Sequence, residues 1–340
     1  MSYTIHHAYE DCIISQNEVL ESVYTMRFVD QGMESLKFEE IEEAINKQGA
    51  SWKAKEYDFL SLPENELAKR LGVKLDVEKL EKDRLQPKPD MVRVMADFAG
   101  LKHKDGVYPL SDKLAEIIQT GPIYIPKVVD WRDRKGRNNV TSVKDQGGCG
   151  SCVAFGTTAT LESMVLIEHN ASVDLSEAEL FFCGGGSCQL GWWPDNAVTY
   201  LKSRGISTET CFPYHDSQMP CNTCTERDGE AIQIMNSVIL NDMYSRKHYI
   251  KNIGPVMCVF EVYLDFYAYH TGVYSHVTGS FRGLHCVEVI GFDDDRGAWI
   301  CKNSWGNGWG NGGFFLIAYG QCAIDSTYPF WGIGGTRWHF

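Results

Sequence analysis

Seven of the twelve cysteines fall between Cys149 and Cys224, and this clustering restricts the middle of the chain more than any other feature of the sequence. Such a density marks a disulfide-stapled region or a set of metal or redox ligands. Cys149-Gly-Ser-Cys152 has the spacing of a redox pair, but a thioredoxin-like pair needs a preceding parallel strand in a compact βαβ unit. Cys221-Asn-Thr-Cys224 has the spacing of half a zinc site, yet it lies 69 residues beyond Cys152, where zinc ribbons separate their pairs by roughly 15–20. No metal and no cofactor are expected. Cys258, Cys286, Cys301 and Cys322 sit in apolar strand contexts, where a free cysteine behaves as a small hydrophobe.

At 340 residues and 44% hydrophobic content the chain can bury a large domain plus a smaller one. Its net charge of −13 is spread along the sequence, which opposes binding to phosphate backbones, so no nucleic-acid partner is expected. No run approaches the roughly 18–20 apolar residues of a membrane span, so no membrane partner is expected either. The start, MSYTIHHAYEDCIISQNEVLES, lacks a basic stretch followed by an apolar one and reads as cytoplasmic. The cysteine content points instead to an oxidising, lysosome-like or secreted compartment. The sequons Asn139-Val-Thr and Asn170-Ala-Ser matter only in the second case.

Composition shifts near residue 123, from charged and helical to rich in Gly, Cys, Trp and Tyr, and a domain boundary is placed there. In the front part Phe38, Ile41 and Ile45 recur at helical spacing after Ser35, a candidate cap, and a second helix is expected from Glu64 to Gly72, with Gly72 as its stop. Trp52 lies between them. Residues 111–119 suggest a short helix, and Gly121, Pro122 and Pro126 an extended linker. In the back part a helix runs from Cys152 through about His169, with Ala154, Thr158, Leu161 and Val165 on one face. VMCVFEV, HCVEVIGF, AWICKNSW and FFLIAYG then read as short strands divided by Gly and Asp turns. Gly308-x-Gly310-x-x-Gly313 formally fits a dinucleotide fingerprint, but a strand follows it, so it reads as a glycine turn. A helical half followed by a β half gives an α+β domain with a cleft between them.

A thiol becomes a good nucleophile when a helix N-terminus and a nearby imidazolium lower its pKa. Cys152 has the first by position. His285 and Asn303 lie 133 and 151 residues further on, on expected strands, near the separations of about 130–150 residues between such a nucleophile and its His and Asn. Taken alone, His285 would read as a core histidine; its joint occurrence with Gln146, Cys152 and Asn303 reverses that.

QGGCGSCVAF (146–155) resembles the nucleophile segment of the papain and cathepsin family, and KNSWGNGWGNGGFF (302–315) its asparagine segment. GLHCVEVIGF (283–292) sits where that family carries its histidine, and LSEAELFFC with FPYHDSQMPC match further landmarks, so the likeness spans about residues 124–329. The resemblance implies a papain-like two-lobe fold, a helical lobe plus an antiparallel β-barrel lobe. It implies that Cys152 attacks, His285 shuttles the proton, Asn303 holds the imidazole under Trp305, and Gln146 with the Cys152 N–H forms the oxyanion hole. The reaction is then acyl transfer to water through a thioester. It also implies disulfides Cys149–Cys188 and Cys183–Cys221, with Cys211 and Cys224 as a third pair, and Cys152 free. Three positions depart from the pattern: Val153 replaces the usual Trp, Cys286 replaces a small apolar residue, and Leu190-Gly191 replaces paired glycines. Gly191 is thus the expected backbone contact to substrate, with Trp192, Trp193, Val259 and Leu284 around an apolar pocket; a core role for the two tryptophans is the bland alternative.

The leading function is a cysteine peptidase made as a zymogen, monomeric and acting on peptide or protein substrates. A ligase or cyclase with the same Cys–His pair, and a non-catalytic binding protein on a peptidase scaffold, are the competing readings. Residues 1–123 carry no second chemistry and lead through an extended linker into residues 124–340, the layout of an inhibitory pro-region. Trp52 through Gly72 resembles the short pro-regions of cathepsin B-like peptidases. A permanent N-terminal domain is the alternative for this segment.

Overall fold

Ile41 and Ile45, one helical turn apart, are the buried residues of the first helix, α1 (Phe38–Gln48), and Gly49 closes it in the left-handed conformation that a Cβ disfavours. The structure, a computed structural model, describes residues 36–98 and 125–338. Ser35, residues 111–119 and the boundary near residue 123 lie outside the described residues; the cap of α1 is Lys37, whose N–H is accepted by Glu40. The expected helix 64–72 is shorter. It spans Glu64–Ala68 (α2), and Leu71-Gly72-Val73 leave it as extended chain, so Gly72 is not a helix stop. Two further helices follow, α3 (Val77–Arg84) and α4 (Met91–Phe98).

The back part is an α+β fold. Its helix α5 (Cys152–His169) is buried on most sides, wider than the single face expected, because Cys152, Val153, Ala154, Phe155, Leu161, Met164 and Val165 are all apolar and inaccessible. Asn170, left-handed at φ 55°, ends it. Helix α6 (Pro194–Ser203) packs beside α5. β1 (Lys53–Ala54) pairs separately with β5 (Tyr269–Thr271), and eight strands form one sheet in the order β3 (Ile232–Leu240), β10 (Phe330–Trp338), β4 (Val256–Tyr263), β7 (Phe281–Asp293), β8 (Ala298–Lys302), β9 (Phe314–Ala318) and β6 (Val273–Tyr274), with β2 (Val128–Asp130) also on β7. The pairs are antiparallel except β6 with β9. Short apolar runs separated by turns make such a sheet, and its central strands β4, β7 and β8 are buried along nearly their whole length. A further helix, α8 (Met243–Asn252), follows β3 and the short turn α7 (Arg227–Glu230).

Two apolar cores result. One holds Cys152, Val153, Leu161, Trp192 and Leu201 of the helical lobe; the other holds Phe260, Phe266, Trp299, Trp305 and Trp309 of the strand lobe. They meet along α5, β4 and β7, and the cleft opens where they meet. Three disulfides, Cys149–Cys188, Cys183–Cys221 and Cys211–Cys224, staple the loops of the helical lobe. Closing loops of this length stabilises by roughly 3–4 kcal/mol each in the chain-entropy account.

Candidate active site

Cys152 is the first residue of α5, so the unpaired N–H groups and positive end of that helix lie at its sulfur. It is a free cysteine. β7 and β4 run side by side with His285 opposite Phe260, and β8 ends at Lys302, so Asn303 lies just past the strand on which it was expected. His285 Nε2 lies 2.8 Å from Asn303 Oδ1. The same oxygen accepts the Ser304 N–H at 2.8 Å, which fixes it as the acceptor and leaves the proton on His285 Nε2. His285 Nδ1 is then a bare, buried lone pair with no hydrogen-bond partner. Trp305 lies 5.0 Å from the imidazole, ring to ring, and stacks on Tyr267 at 5.1 Å, closing the pair from water.

Gln146 is held from both ends. Its backbone N–H bonds Ser304 O, and Ser304 Oγ donates to its Oε1 at 2.7 Å, so its amide nitrogen is the end left to donate. That nitrogen reaches Cys149 O at 2.9 Å and Arg70 O at 3.1 Å. Tyr214 supports the loop, donating to Gln146 O at 2.8 Å. Ser304 and Tyr214 were not singled out from sequence; a hydroxyl beside the asparagine is a weak signal by itself.

The front segment fills the cleft. Gly72 N–H donates to Leu284 O at 3.3 Å, Trp192 N–H to Gly72 O at 2.7 Å, and Lys74 N–H to Trp192 O at 2.8 Å, with Val73 and Trp192 paired in parallel. Three glycines allow the approach: a Cβ on Gly72 would overlap the Gly150 carbonyl, and one on Gly191, at φ 73°, the Gly72 carbonyl. Gly191 is thus a backbone neighbour of extended chain, and Leu284 offers its carbonyl. The Trp192 side chain belongs to the core, edge-on to Phe181 and against Gly184, as the bland alternative had it. Trp193 is exposed at the rim, under the Lys74 ammonium at 4.6 Å. Val259 is fully buried in the helical-lobe core with Leu284 beside it.

Burial pushes the Cys152 thiol up to about 12, with the N–H groups of Cys286 and Gly72 opposing it. Burial lowers His285 to about 4; Asn303 opposes this and the Arg70 charge adds to it. Under the cover both groups are therefore neutral. Behind the site, Lys144 pairs with Glu162, Asp174 and Glu177 at 2.7–3.0 Å, and Lys302 with Glu288 at 3.8 Å. Among the described residues no group of three His, Cys, Asp or Glu is arranged to hold a metal ion.

A thiol at a helix start, an imidazole with one bare nitrogen and an amide that holds the other define a cysteine peptidase site of the papain type. The family model described as papain family cysteine protease matches residues 125–330, and the chain belongs to that family. Pro-cathepsin H of Mus musculus is 37% identical over 251 residues, covering 68% of this chain and 74% of its own length. Thiol protease aleurain of Arabidopsis thaliana is 36% identical over 221 residues, 60% of each chain. Among solved structures, proCathepsin B S9 from Trypanosoma congolense superposes with a TM-score of 0.67 at 22% identity, covering 87% of this chain and 97% of that one, a likeness of fold.

Proposed function

We propose that this chain is the proenzyme of a monomeric cysteine peptidase in which residues 1–123 inhibit residues 124–340 until cut between about Gly121 and Val129. One observation carries the reading: the stretch Arg70–Gly72 takes the groups a substrate needs. Arg70 O accepts from Gln146 Nε2, and Gly72 pairs through its backbone with Trp192 and Leu284. Peptides and proteins are the substrates, and the charge of −13 disfavours nucleic acid.

Once the cover leaves, water and the helix end favour the charged pair, and the thiol proton passes to His285 Nδ1. The thiolate adds to the substrate carbonyl carbon, and the oxyanion accepts from Gln146 Nε2–H and the Cys152 N–H. His285 returns the proton to the leaving amine, and a thioester remains. Water, deprotonated by His285, then adds to the thioester and expels the thiolate, which regains the starting pair. Asn303 keeps the ring in the tautomer that makes Nδ1 the base.

Ion pairs also tie the cover to the domain: Arg70 with Asp145 at 3.3 Å, Lys79 with Asp195 at 2.5 Å and Lys88 with Asp242 at 3.8 Å. The test is hydrolysis of a fluorogenic peptide by the full chain before and after limited proteolysis of the linker and removal of the front piece. A large rise on removal is expected; equal rates would remove the pro-region reading.

A further inference from the structure

We propose that the peptidase domain carries a second docking groove, away from the cleft, that receives helix α4 and keeps the front segment bound after the chain is cut between residues 98 and 125. The inference rests on the pro-region reading above, but it concerns a different surface. α4 lies before residue 125, where the family match begins, so cutting there would leave it on the front piece.

The chain does not simply leave the cleft after Gly72. Leu75 and Leu80 pack on the helical-lobe core, and the Lys79 ammonium meets Asp195, which also accepts the Trp331 indole N–H at 3.0 Å. The chain then reaches α4. Asp90 caps this helix, its Oδ1 accepting from the N–H groups of Val92 and Arg93 at 3.0 and 3.3 Å. Met91 and Met95, one turn apart, and Ala96 are buried, while Arg93 stays largely exposed. The apolar face lies against α8 and β3.

The groove is shaped for it. The Phe98 ring stands edge-on to Tyr249 at 5.3 Å, and Tyr249 is fixed by donating to Ile333 O at 3.0 Å. A Cβ at Gly334 would lie 2.9 Å from Phe98 Cδ1, so that glycine is the notch into which the ring fits. Asn236 Nδ2 donates to Asp97 O at 3.1 Å at the helix end. An isolated helix of eight residues does not hold its shape in water, so the groove, rather than local propensity, stabilises α4. In the intact chain this adds little, because the cleft segment is already tethered. After cutting, two linked anchors exceed either alone by about 10²–10⁴-fold.

The experiment uses the full chain carrying Cys152→Ala and a site-specific protease sequence inserted between residues 99 and 124, cut and passed over a sizing column at neutral pH. The two pieces should co-elute, and Met95→Asp should release the front piece and, in the chain that keeps Cys152, weaken its inhibition about 10²-fold or more. Separation of the wild-type pieces on cutting, or unchanged retention with Met95→Asp, would overturn the proposal. Should Met95→Asp fail to fold, excess synthetic peptide 87–98 replaces it: displacement of the wild-type front piece supports the groove, and its absence overturns it. Co-elution is read without hydrolysis, so a chain with no peptidase activity would sink the function and leave the groove to be judged separately.

Discussion

The front segment and the peptidase domain are held by different means. The domain buries its side chains against one another and adds three disulfides. The front segment has little core of its own: α3 contains no buried residue, and Trp52, Tyr57, Met95 and Phe98 find their partners across the boundary. Gln48 donates to Val277 O at 2.6 Å, the Trp52 indole to Ser275 O at 3.0 Å, and Tyr57 OH to Tyr269 O at 2.9 Å. The loop that receives them is tied by buried Asp265, which accepts from Tyr274 OH and from the N–H groups of Val277 and Thr278. The front segment behaves as a bound ligand, so substitutions in it should raise the activity of the uncut chain, whereas substitutions at the site should lower that of the processed enzyme.

The largest effect is expected in the domain. Cys152→Ala should take hydrolysis by the processed enzyme to background, whereas Asn303→Ala and Gln146→Ala should lose about 10²–10³-fold and stay measurable, the loss typical of one preorganised donor. Steady-state rates on one peptide decide this; residual turnover with Cys152→Ala would break the assignment. In the front segment, Trp52→Ala removes the indole bond to Ser275 and the edge contact with Tyr274 at 5.2 Å. That should weaken docking by about 3–5 kcal/mol, as for deleting other buried aromatics, and raise the activity of the uncut chain. Gly72→Ala drives a methyl into the Gly150 carbonyl and should lift the cover by about 1–3 kcal/mol. An uncut chain as silent as wild type in both variants would erase the contrast between the regions.

The smallest effect concerns stability. Burial raises Glu177 to about 8 from an ordinary 4.5, with Lys144 opposing and Glu162 adding to the shift. The folded state then keeps a proton that the unfolded state has lost between pH 4.5 and 8, so stability is greatest below this window and falls as pH rises through it. Thermal melts from pH 5 to pH 8 should show the fall, and Glu177→Gln should flatten it. An unchanged slope in that variant would place the proton elsewhere.

Much of the peptidase domain was legible because its signals are local. A thiol after a glycine turn marks the start of α5, and apolar runs between turns mark β4, β7, β8 and β9 within a few residues. The cleft segment was not legible in the same way. Gly72 reads as a helix stop by its position, and only the close approach of Gly150 and Gly191 gives it another task. Beside Gly191, Trp192 reads by resemblance as a pocket wall with a core role as the alternative, and the absent side chain of Gly184 admits its ring to the core. Helix α4 carries an amphipathic pattern too short to stand out, and its groove is assembled from β3, α8 and β10, far apart in sequence.

The measurement that bears most directly on the account is the rate of Cys152 alkylation by iodoacetamide at pH 7, read by peptide mapping, in the uncut and the processed chain. With the thiol buried beneath Arg70–Gly72 and pushed up to about 12, its thiolate fraction in the uncut chain is on the order of 10⁻⁵. Labelling of Cys152 should be slow in the uncut chain and fast and selective once the chain is cut and the front piece removed, with no comparable change at buried Cys258, Cys286 or Cys301. Equal Cys152 rates in the two forms, or preferential labelling of another cysteine, would contradict it.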